Sequence, residues 1–352
     1  MKDRNLSSVL HLIRKAAPIT RRQIEAAMQL SWGAVSNATA LLLREGYIKE
    51  VKCEGASTPG RTPVALAING EDHFLFGLDV NRSGLRGVVM NLCGEVLYSI
   101  IREPTATTKE EWIGAILSLT RELYAFSGAR SVLAMGVAMQ GAVDAERGVS
   151  ASFPATGWQD VPLAALLSEK LALPVYLEHD PDCILYATAG ERELSEGALL
   201  RVDRGIGMAV MLEGEIFKRF GAFEIGRTPA GEHGEPLEQL VTEAGLATAA
   251  GRPFADLVAA ARAGDAQALE HFRCMARRLG TALAHVAQLL HINEFLLCGR
   301  MLEERELFLE ELIATAARLV PERELHISLT RVENAAIGAA MLAAERHMIS
   351  FD

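Results

Sequence analysis

The first seventy residues carry three helical patterns of apolar side chains, followed by two short strands. Apolar side chains at helical spacing predict the buried face of a first helix: Leu6, Val9, Leu10 and Ile13. Thr20 and Gln23 have the capping-box spacing that begins a second helix, and a third helix begins after Ser31. Residues 47–68 are predicted to form two strands around a polar tip that contains Gly and Pro.

These elements predict a winged helix-turn-helix at residues 1–70, in which the hairpin 47–68 is the wing. Small polar side chains near the start of a recognition helix reach base edges, and basic side chains contact phosphates. The side chains that we expect to contact DNA are Arg22, Trp32, Ser36, Asn37, Thr39 and, at the tip of the wing, Arg61. The alternative is a three-helix packing module whose basic residues are solvated.

The rest of the chain contains one pattern twice. Residues 74–97 and 199–217 each combine an apolar strand, an Asp, a Gly-containing turn, a second apolar strand and a Gly-Glu turn into a third strand. Alternating helices and strands follow each copy, so we expect two similar lobes. This order is the plan of the actin-like superfamily, and the predicted fold is an α/β body of two actin-like (RNase H-like, sugar kinase) lobes with a cleft between them.

In that plan the turn between the first two strands of each lobe binds phosphate, because backbone N–H groups and glycines allow a phosphate to approach closely. The alternative is an ordinary hairpin turn, in which glycine is also common. We expect three domains: the DNA-binding module at 1–70, the first lobe at 71–190 plus 334–352, and the second lobe with dimerisation helices at 191–333.

Charge is distributed unevenly along the chain. Residues 1–66 carry ten Lys or Arg and five Asp or Glu, whereas the remaining residues carry 25 and 40. The net charge of -10 therefore combines a basic N-terminal module with an acidic body, which is typical of a protein with a DNA-binding head.

Apolar side chains nowhere form the run of roughly 20 residues that spans a bilayer, so we expect a cytoplasmic protein with no membrane partner. The cysteines are odd in number, far apart and mostly in apolar surroundings. We interpret all five as buried free thiols: Cys53, Cys93, Cys183, Cys274 and Cys298.

Motifs over nearly the whole chain are similar to those of the ROK family (repressors, open reading frames and kinases). They are GRTP, GLDVNRS, GVAMQGAVDAERG, PATGWQDVPL, PVYLEHDPDCILYA, RGIGMAVMLEGEIF, AFEIG, INEFLLCGRM and AAIGAAM. The chain resembles in particular the repressor branch of that family, of the NagC, XylR and Mlc type, in which a winged helix-turn-helix precedes a sugar-kinase-like body.

The resemblance implies a sugar-binding role for two adjacent residues. In active kinases of the family, the residue that matches Asp180 takes the proton from the sugar hydroxyl that attacks ATP. The preceding residue, His179, stands where the family normally has an Asn that hydrogen-bonds the sugar. The alternative role for Asp180 is structural, since it precedes Pro181 as an N-cap precedes a proline at the first helical position.

Departures from the family pattern affect the two turns. The first turn normally reads Asp-x-Gly-x-Thr, but here Asn81 replaces the Gly and Ser83 stands for the Thr. A side chain at position 81 obstructs the close approach of a phosphate. Arg204 replaces the small hydroxyl residue that normally precedes Gly-Ile-Gly in the second turn. We therefore expect a non-catalytic relative of the ROK sugar kinases.

The segment GAFEIGRTPAGEHGEPLEQL at 221–240 differs most from the family pattern. The family holds a structural zinc here with one His and three Cys, but this chain has Arg227 in place of the His and lacks the cysteine segment. We expect neither a metal nor a cofactor, because no thiolates are present to bind zinc. The resemblance implies sugar contacts for Glu224 and Glu238. Arg227 suits an anionic ligand, and a surface ion pair with a nearby Glu is its alternative.

Together these features predict a sugar-responsive transcriptional regulator, a repressor of carbohydrate uptake or catabolism. Its expected partners are operator DNA, a sugar or phosphosugar in the cleft, and further copies of the chain in a homodimer or homotetramer on a palindromic site. Two alternatives stay open: an ATP-dependent sugar kinase of the ROK family, and a regulator that answers to a protein partner instead of a sugar.

Overall fold

A computed structural model describes residues 2–52, 64–103, 105–218 and 223–349. The chain divides into two compact units, which are Met1–Glu178 with Ala336–Asp352, and His179–Ala335. The chain therefore enters the second unit at His179 and leaves it after Ala335. Within the described ranges, no helix is both long enough and apolar enough to cross a membrane.

Three helices and three short strands form the N-terminal part of the first unit. In chain order they are α1 (Lys2–Ala16), β1 (Ile19–Thr20), α2 (Arg21–Met28), α3 (Trp32–Arg44), β2 (Ile48–Lys52) and β3 (Val64–Ile68). The strands form an antiparallel sheet in the order β1-β3-β2. All four apolar side chains of the predicted face of α1 are buried, which confirms that face.

Polar caps begin α2 and α3 where the sequence predicts them. The hydroxyl of Thr20 accepts the backbone N–H of Gln23 at 3.3 Å, and Gln23 Oε1 accepts the N–H of Thr20 at 2.8 Å. Ser31 Oγ accepts the N–H of Ala34 at 3.3 Å. The predicted capping box and the start of the third helix are therefore confirmed. Both strands of the hairpin are also present, and its tip at 53–63 lies outside the described residues.

A five-stranded sheet forms the centre of the first unit. The elements that follow β3 are β4 (His73–Asn81), β5 (Gly84–Asn91), β6 (Val96–Arg102), α4 (Lys109–Ser127), β7 (Ser131–Met139), β8 (Val143–Asp144), β9 (Val149–Phe153), β10 (Trp158–Val161), α5 (Leu163–Leu171) and β11 (Val175–His179). The large sheet has the order β11-β7-β4-β5-β6, with β4 to β6 antiparallel and β7 parallel to β4. The small antiparallel sheet β10-β9-β8 was not predicted.

The second unit repeats this arrangement. Its elements are α6 (Asp180–Arg192), β12 (Gly197–Val202), β13 (Ile206–Leu212), β14 (Glu215–Ile216), a 3-10 helix (Ile225–Arg227), α7 (Leu237–Val241), α8 (Glu243–Ala250), α9 (Phe254–Arg262), α10 (Ala266–Leu290), β15 (Glu294–Cys298), a second 3-10 helix (Arg300–Leu307), α11 (Leu309–Leu319) and β16 (His326–Leu329). Its sheet has the order β14-β13-β12-β15-β16. The predicted duplication is therefore confirmed in the order of the strands.

The last helix, α12 (Asn334–Ile349), packs on the first sheet at two glycines. A Cβ on Gly77 of β4 would lie 1.9 Å from the carbonyl oxygen of Ala336, and a Cβ on Gly136 of β7 would lie 1.9 Å from that of Ala339. Only glycine permits this approach of helix to strand.

The N-terminal helices share a hydrophobic core with the first sheet. One cluster contains residues from five elements: Leu10 of α1, Leu42 of α3, Leu75 of β4, Met90 of β5 and Ala340 of α12. Residues 6–52 and 64–68 therefore pack on the sheet and on α12, which explains why they belong to the first unit.

The cysteines only partly follow the prediction. The four in the described ranges are free thiols, and Cys183 and Cys298 are buried. The prediction of burial is wrong for Cys93, which is exposed in the turn after β5, and for Cys274, which is half-buried on α10. Cys53 lies outside the described residues.

Candidate functional site

Two of the residues expected to bind a sugar lie at the start of α6. β11 ends at His179, and α6 begins with Asp180 followed by Pro181. His179 is the N-cap, so the interpretation of Asp180 as the N-cap is wrong, because the helix begins one residue earlier than the proline indicates. Asp180 is only 3% exposed. Burial of this extent is rare for an aspartate without a charged partner.

A buried arginine is that partner. Arg201 is the fifth residue of β12, and its side chain is 10% exposed. Its Nη1 donates to Asp180 Oδ2, and its Nε donates to Asp203 Oδ2 at 2.6 Å. One guanidinium therefore joins the first residue of α6 to the turn that follows β12, through two charge-assisted hydrogen bonds.

The second carboxylate, that of Asp203, also accepts a backbone N–H. Its Oδ1 lies 2.6 Å from the backbone nitrogen of Arg300, the first residue of the 3-10 helix Arg300–Leu307. The N–H of Asp203 donates to the carbonyl of Gly205 at 3.0 Å. The Asp203 carboxylate therefore occupies the N–H of Arg300, and the Gly205 carbonyl occupies the N–H of Asp203, so an external anion would have to displace one of them.

Burial and neighbouring charges set the ionisation of the two site residues. Desolvation raises the pKa of Asp180 to about 6, while Arg201 lowers it and Asp203 raises it. Desolvation also lowers the pKa of His179 below its ordinary value, and the charge of Asp182 opposes this. At pH 7 we expect an ionised carboxylate beside a neutral imidazole.

His179 has an unsatisfied ring nitrogen. Its Nε2 lies 3.7 Å from Asp180 Oδ1. Its Nδ1 is buried, and no residue in the described ranges hydrogen-bonds it. A buried polar atom without a partner is costly, so this nitrogen is a candidate contact for a ligand hydroxyl. Nearby, Lys218 Nζ lies 3.5 Å from Asp182 Oδ2.

In the segment 223–240, Arg227 and Glu224 form an exposed ion pair, and Glu238 is half-buried. Arg227 Nε lies 3.1 Å from Glu224 Oε2, and the two side chains are 73% and 57% exposed. Arg227 therefore forms the surface ion pair with a nearby Glu that is the alternative to binding an anionic ligand. Glu238, in the first turn of α7, has Oε2 at 3.3 Å from the position of a Cβ on Gly226 and 3.7 Å from that on Gly205.

These contacts show which predicted site residues come together. The negative charge of Glu224 raises the pKa of His179, so these two side chains lie close enough to interact. A series of contacts runs from Glu238 through the turn 203–205 and Arg201 to Asp180. Within the described ranges, no group of three or more His, Cys, Asp or Glu side chains is arranged to hold a metal ion.

The first hairpin turn, in the first unit, is closed by the chain's own side chains. Asn81 Oδ1 accepts the N–H of Ser83 at 2.8 Å, and Gln140 Oε1 accepts the N–H of Arg82 at 2.9 Å. Asn81 Nδ2 also donates to Asp79 Oδ2 at 3.0 Å. These N–H groups are the donors that a phosphate-binding turn offers to its ligand. Asn81 and Gln140 therefore compete with a phosphate for these donors, and Asn81 also occupies space.

Most of the predicted DNA-contacting residues lie on the surface of α2 and α3. Trp32 is 50% exposed. Arg22 and Asn37 are also exposed, and Ser36 is half-buried. Arg61 lies outside the described residues.

Thr39 does not belong to this surface. It is fully buried, and its hydroxyl accepts Arg21 Nε at 3.0 Å and donates to the carbonyl of Ser36 at 3.2 Å. The expectation that Thr39 is exposed for contact with DNA is therefore wrong. A threonine at this helical position packs inward because its hydroxyl finds partners within the module.

The profile of the ROK family matches residues 75–346. The chain belongs to the ROK family. It is 27% identical to the xylose repressor of Caldicellulosiruptor bescii over 239 residues, which cover 65% of this chain and 59% of that repressor. The match thus spans less than two thirds of that relative's length. Over 389 aligned positions it is 25% identical to the DNA-binding transcriptional dual regulator NagC of Escherichia coli, covering 99% of this chain and 94% of NagC.

Solved structures of ROK proteins have the same fold. A ROK family transcriptional regulator, a homolog of the E. coli MLC protein, has a TM-score of 0.83 at 19% identity and covers 99% of this chain and 98% of its own. The ROK hexokinase of Thermus thermophilus has a TM-score of 0.68 at 24% identity and covers 78% of this chain and 98% of its own. The body of this ROK protein therefore has the actin-like, sugar-kinase type of fold.

Sequence reasoning missed three charged residues of this ROK site. Arg201 interrupts the otherwise apolar strand GALLRV, and a charge inside a buried strand signals a buried partner. Asp203 is prominent in the sequence only as a position of the internal repeat. Lys218 carries no signal, because a lysine after a strand is ordinary on a protein surface.

Proposed function

We propose that this ROK protein is a sugar-responsive transcriptional repressor that binds operator DNA through residues 1–70 and a sugar at the start of α6. The observation that carries the proposal is the extent of the similarities. A mycobacterial transcriptional regulator, NagC and the solved ROK regulator match along 97–99% of this chain, whereas the ROK hexokinase covers 78% and the xylose repressor matches along 65%. Two of the relatives are named as a xylose repressor and an N-acetylglucosamine repressor, which supports a carbohydrate effector here.

DNA binding is proposed for a winged helix-turn-helix made of α2, α3 and the hairpin 47–68. The exposure of Arg22, Trp32 and Asn37 supports contacts from the start of α3 and from α2, and the basic charge of residues 1–66 supports phosphate binding. Two such heads on one palindromic operator require a homodimer or homotetramer. Arg61 would contact the minor groove or a phosphate from the wing.

The test of this part is a selection of genomic DNA fragments by the purified full chain at near-physiological salt. We expect a palindromic sequence to be enriched, with specific binding well above that to unrelated DNA. Weak, sequence-blind binding at that salt would contradict a repressor.

A neutral sugar is the effector that the charges favour. Asp180, Glu224 and Glu238 supply carboxylates, each of which accepts hydrogen bonds from vicinal hydroxyls. The two arginines near them are already paired, Arg201 with two aspartates and Arg227 with Glu224. A phosphosugar could pair with the buried Arg201 only by displacing an aspartate, at a cost in free energy, whereas displacing Glu224 from the exposed Arg227 would cost about 1 kcal/mol or less.

Calorimetry of the full chain tests this against a panel of neutral sugars and sugar phosphates that includes D-xylose and N-acetylglucosamine. Heat with one neutral sugar supports the proposal. Heat only with a sugar phosphate would give an anionic effector instead, and no heat with any of them would favour a regulator that answers to a protein partner.

The alternative of an ATP-dependent kinase is opposed by the two turns. In the first turn Asn81 and Gln140 occupy backbone donors, and at the second turn Asp203 occupies the N–H of Arg300. Sugar-dependent release of ADP by the wild-type chain, lost in Asp180→Asn, would establish the kinase and exclude a purely regulatory role.

A further inference from the structure

Two side chains, Arg201 and Asp203, join separate elements of the second unit through three contacts. Arg201 of β12 binds Asp180 of α6 and Asp203 of the following turn, and Asp203 binds the N–H of Arg300 at the start of the 3-10 helix Arg300–Leu307. Both side chains of the Arg201–Asp180 contact are nearly buried, at 10% exposed for Arg201 and 4% for Asp180. Hydrogen bonds in such surroundings are strong and resist solvent competition.

We propose that Arg201 is a positioning residue of the sugar site, which holds the Asp180 carboxylate ionised and in one orientation and couples it to the Asp203–Arg300 contact. The inference adds to the proposed function, since it explains how the proposed hydroxyl acceptor is prepared for its ligand. The side chain type matters because two different nitrogens of one planar guanidinium bind two carboxylates. A lysine has a single nitrogen and cannot hold both in a fixed plane.

The groups that surround Asp180 have opposite effects on its protonation. Arg201 favours the ionised form, whereas burial and the charge of Asp203 favour the protonated form. His179 Nε2 lies 3.7 Å from the other carboxylate oxygen, and burial lowers the pKa of that imidazole. Cys298 at the end of β15 is buried near these charges, and desolvation raises the pKa of its thiol, so it adds no charge.

Because Arg201 lowers and Asp203 raises the pKa of Asp180, removing one or the other should shift the pH dependence of stability in opposite directions. The unfolded chain has an Asp pKa of about 3.9, and the folded chain raises it to about 6. The contribution of Asp180 to stability is therefore complete below pH 4 and is lost as the pH rises to about 6. Without Arg201 the loss should extend to higher pH, and without the charge of Asp203 it should end at lower pH.

The experiment measures the free energy of unfolding of the full chain in urea from pH 4 to pH 8. The variants are Arg201→Met, Asp203→Asn and, as the matched control, Arg204→Met, which removes an exposed arginine from the same turn. Each is measured with and without Asp180→Asn, and the difference within each pair isolates the contribution of Asp180.

We expect the midpoint of that difference to move up by about one pH unit or more in Arg201→Met, to move down in Asp203→Asn, and to stay at the wild-type value in Arg204→Met. An unchanged midpoint in Arg201→Met overturns the proposal. If that variant does not fold, an unchanged or raised midpoint in Asp203→Asn overturns it. A purely structural role would lower stability equally at every pH and move no midpoint.

The measurement requires neither a sugar nor an operator. A chain that binds no sugar but shows both shifts would contradict the proposed function and keep the role of Arg201 in holding Asp180 ionised. A chain that binds a sugar but shows neither shift would do the reverse.

Discussion

Pro181 and Gly207 are in contact at the start of α6: a Cβ on Gly207 would lie 2.7 Å from Cγ of Pro181. Because Pro181 follows Asp180 in the chain, this contact packs the start of α6, where the site carboxylate lies, against β13. Gly207, the second glycine of the Gly-Ile-Gly segment, thus has a packing role.

Gly207→Ala is expected to destabilise the protein by about 1–3 kcal/mol, because the proline ring cannot move aside as a flexible side chain would. Urea unfolding measures the loss. The control is Gly114→Ala in α4, where no atom lies within 4 Å of the added Cβ. That control should be neutral or more stable by up to about 1 kcal/mol. Equal stability of Gly207→Ala and the wild type would contradict the contact.

Substitutions at Thr39 and Asn37 should separate an effect on stability from an effect on DNA binding. Thr39→Val removes the acceptor of Arg21 Nε and should cost about 1–2 kcal/mol of stability. Asn37→Ala should leave stability within about 0.5 kcal/mol and weaken binding to the selected operator by about 1–3 kcal/mol. Thermal unfolding and fluorescence anisotropy measure the two effects. A folded Thr39→Val protein that binds the operator as poorly as Asn37→Ala would show that Thr39 does reach DNA.

Sugar affinity should depend on pH through Asp180. Since its pKa is raised to about 6, the carboxylate accepts hydroxyl hydrogen bonds at pH 7.5 but is mostly protonated at pH 5. The dissociation constant of the effector identified by calorimetry should therefore be about tenfold larger at pH 5. Asp180→Asn should bind more weakly at both values and lose the difference. A tenfold change that persists in this variant would assign the titration to another group.

Glu238 and Arg227 should differ in how much they contribute to the affinity for a neutral sugar. Glu238→Gln should weaken binding by a factor of ten or more, on the order of 1.4 kcal/mol, because its half-buried carboxylate lies against Gly226 and Gly205. Arg227→Ala breaks an exposed pair and should change both stability and affinity by about 0.5 kcal/mol or less. Calorimetry and urea unfolding test these values. A large loss of affinity in Arg227→Ala would restore the arginine as a ligand contact.

Elements that depend on local chemistry were predictable from the sequence. Strands β4, β5, β12 and β13 are apolar runs bounded by turns, and the capping box at Thr20 depends on residues three positions apart. The small sheet β8 to β10 and the helices α8 and α9 were missed. Short elements of this kind carry too few apolar positions for a clear period, and packing rather than local preference stabilises them.

The sequence by itself determined the repeated strand plan, the basic N-terminal module and the candidate carboxylates, because periodicity, charge and motif spacing are properties of the chain. Only the tertiary structure decided the partners of those carboxylates. Asp180 and Arg201 are 21 positions apart and meet inside the second unit, and Thr39 turns inward because Arg21 reaches it from α2. Such pairs form only when folding removes both groups from water, and no local pattern records which charge will lie beside which.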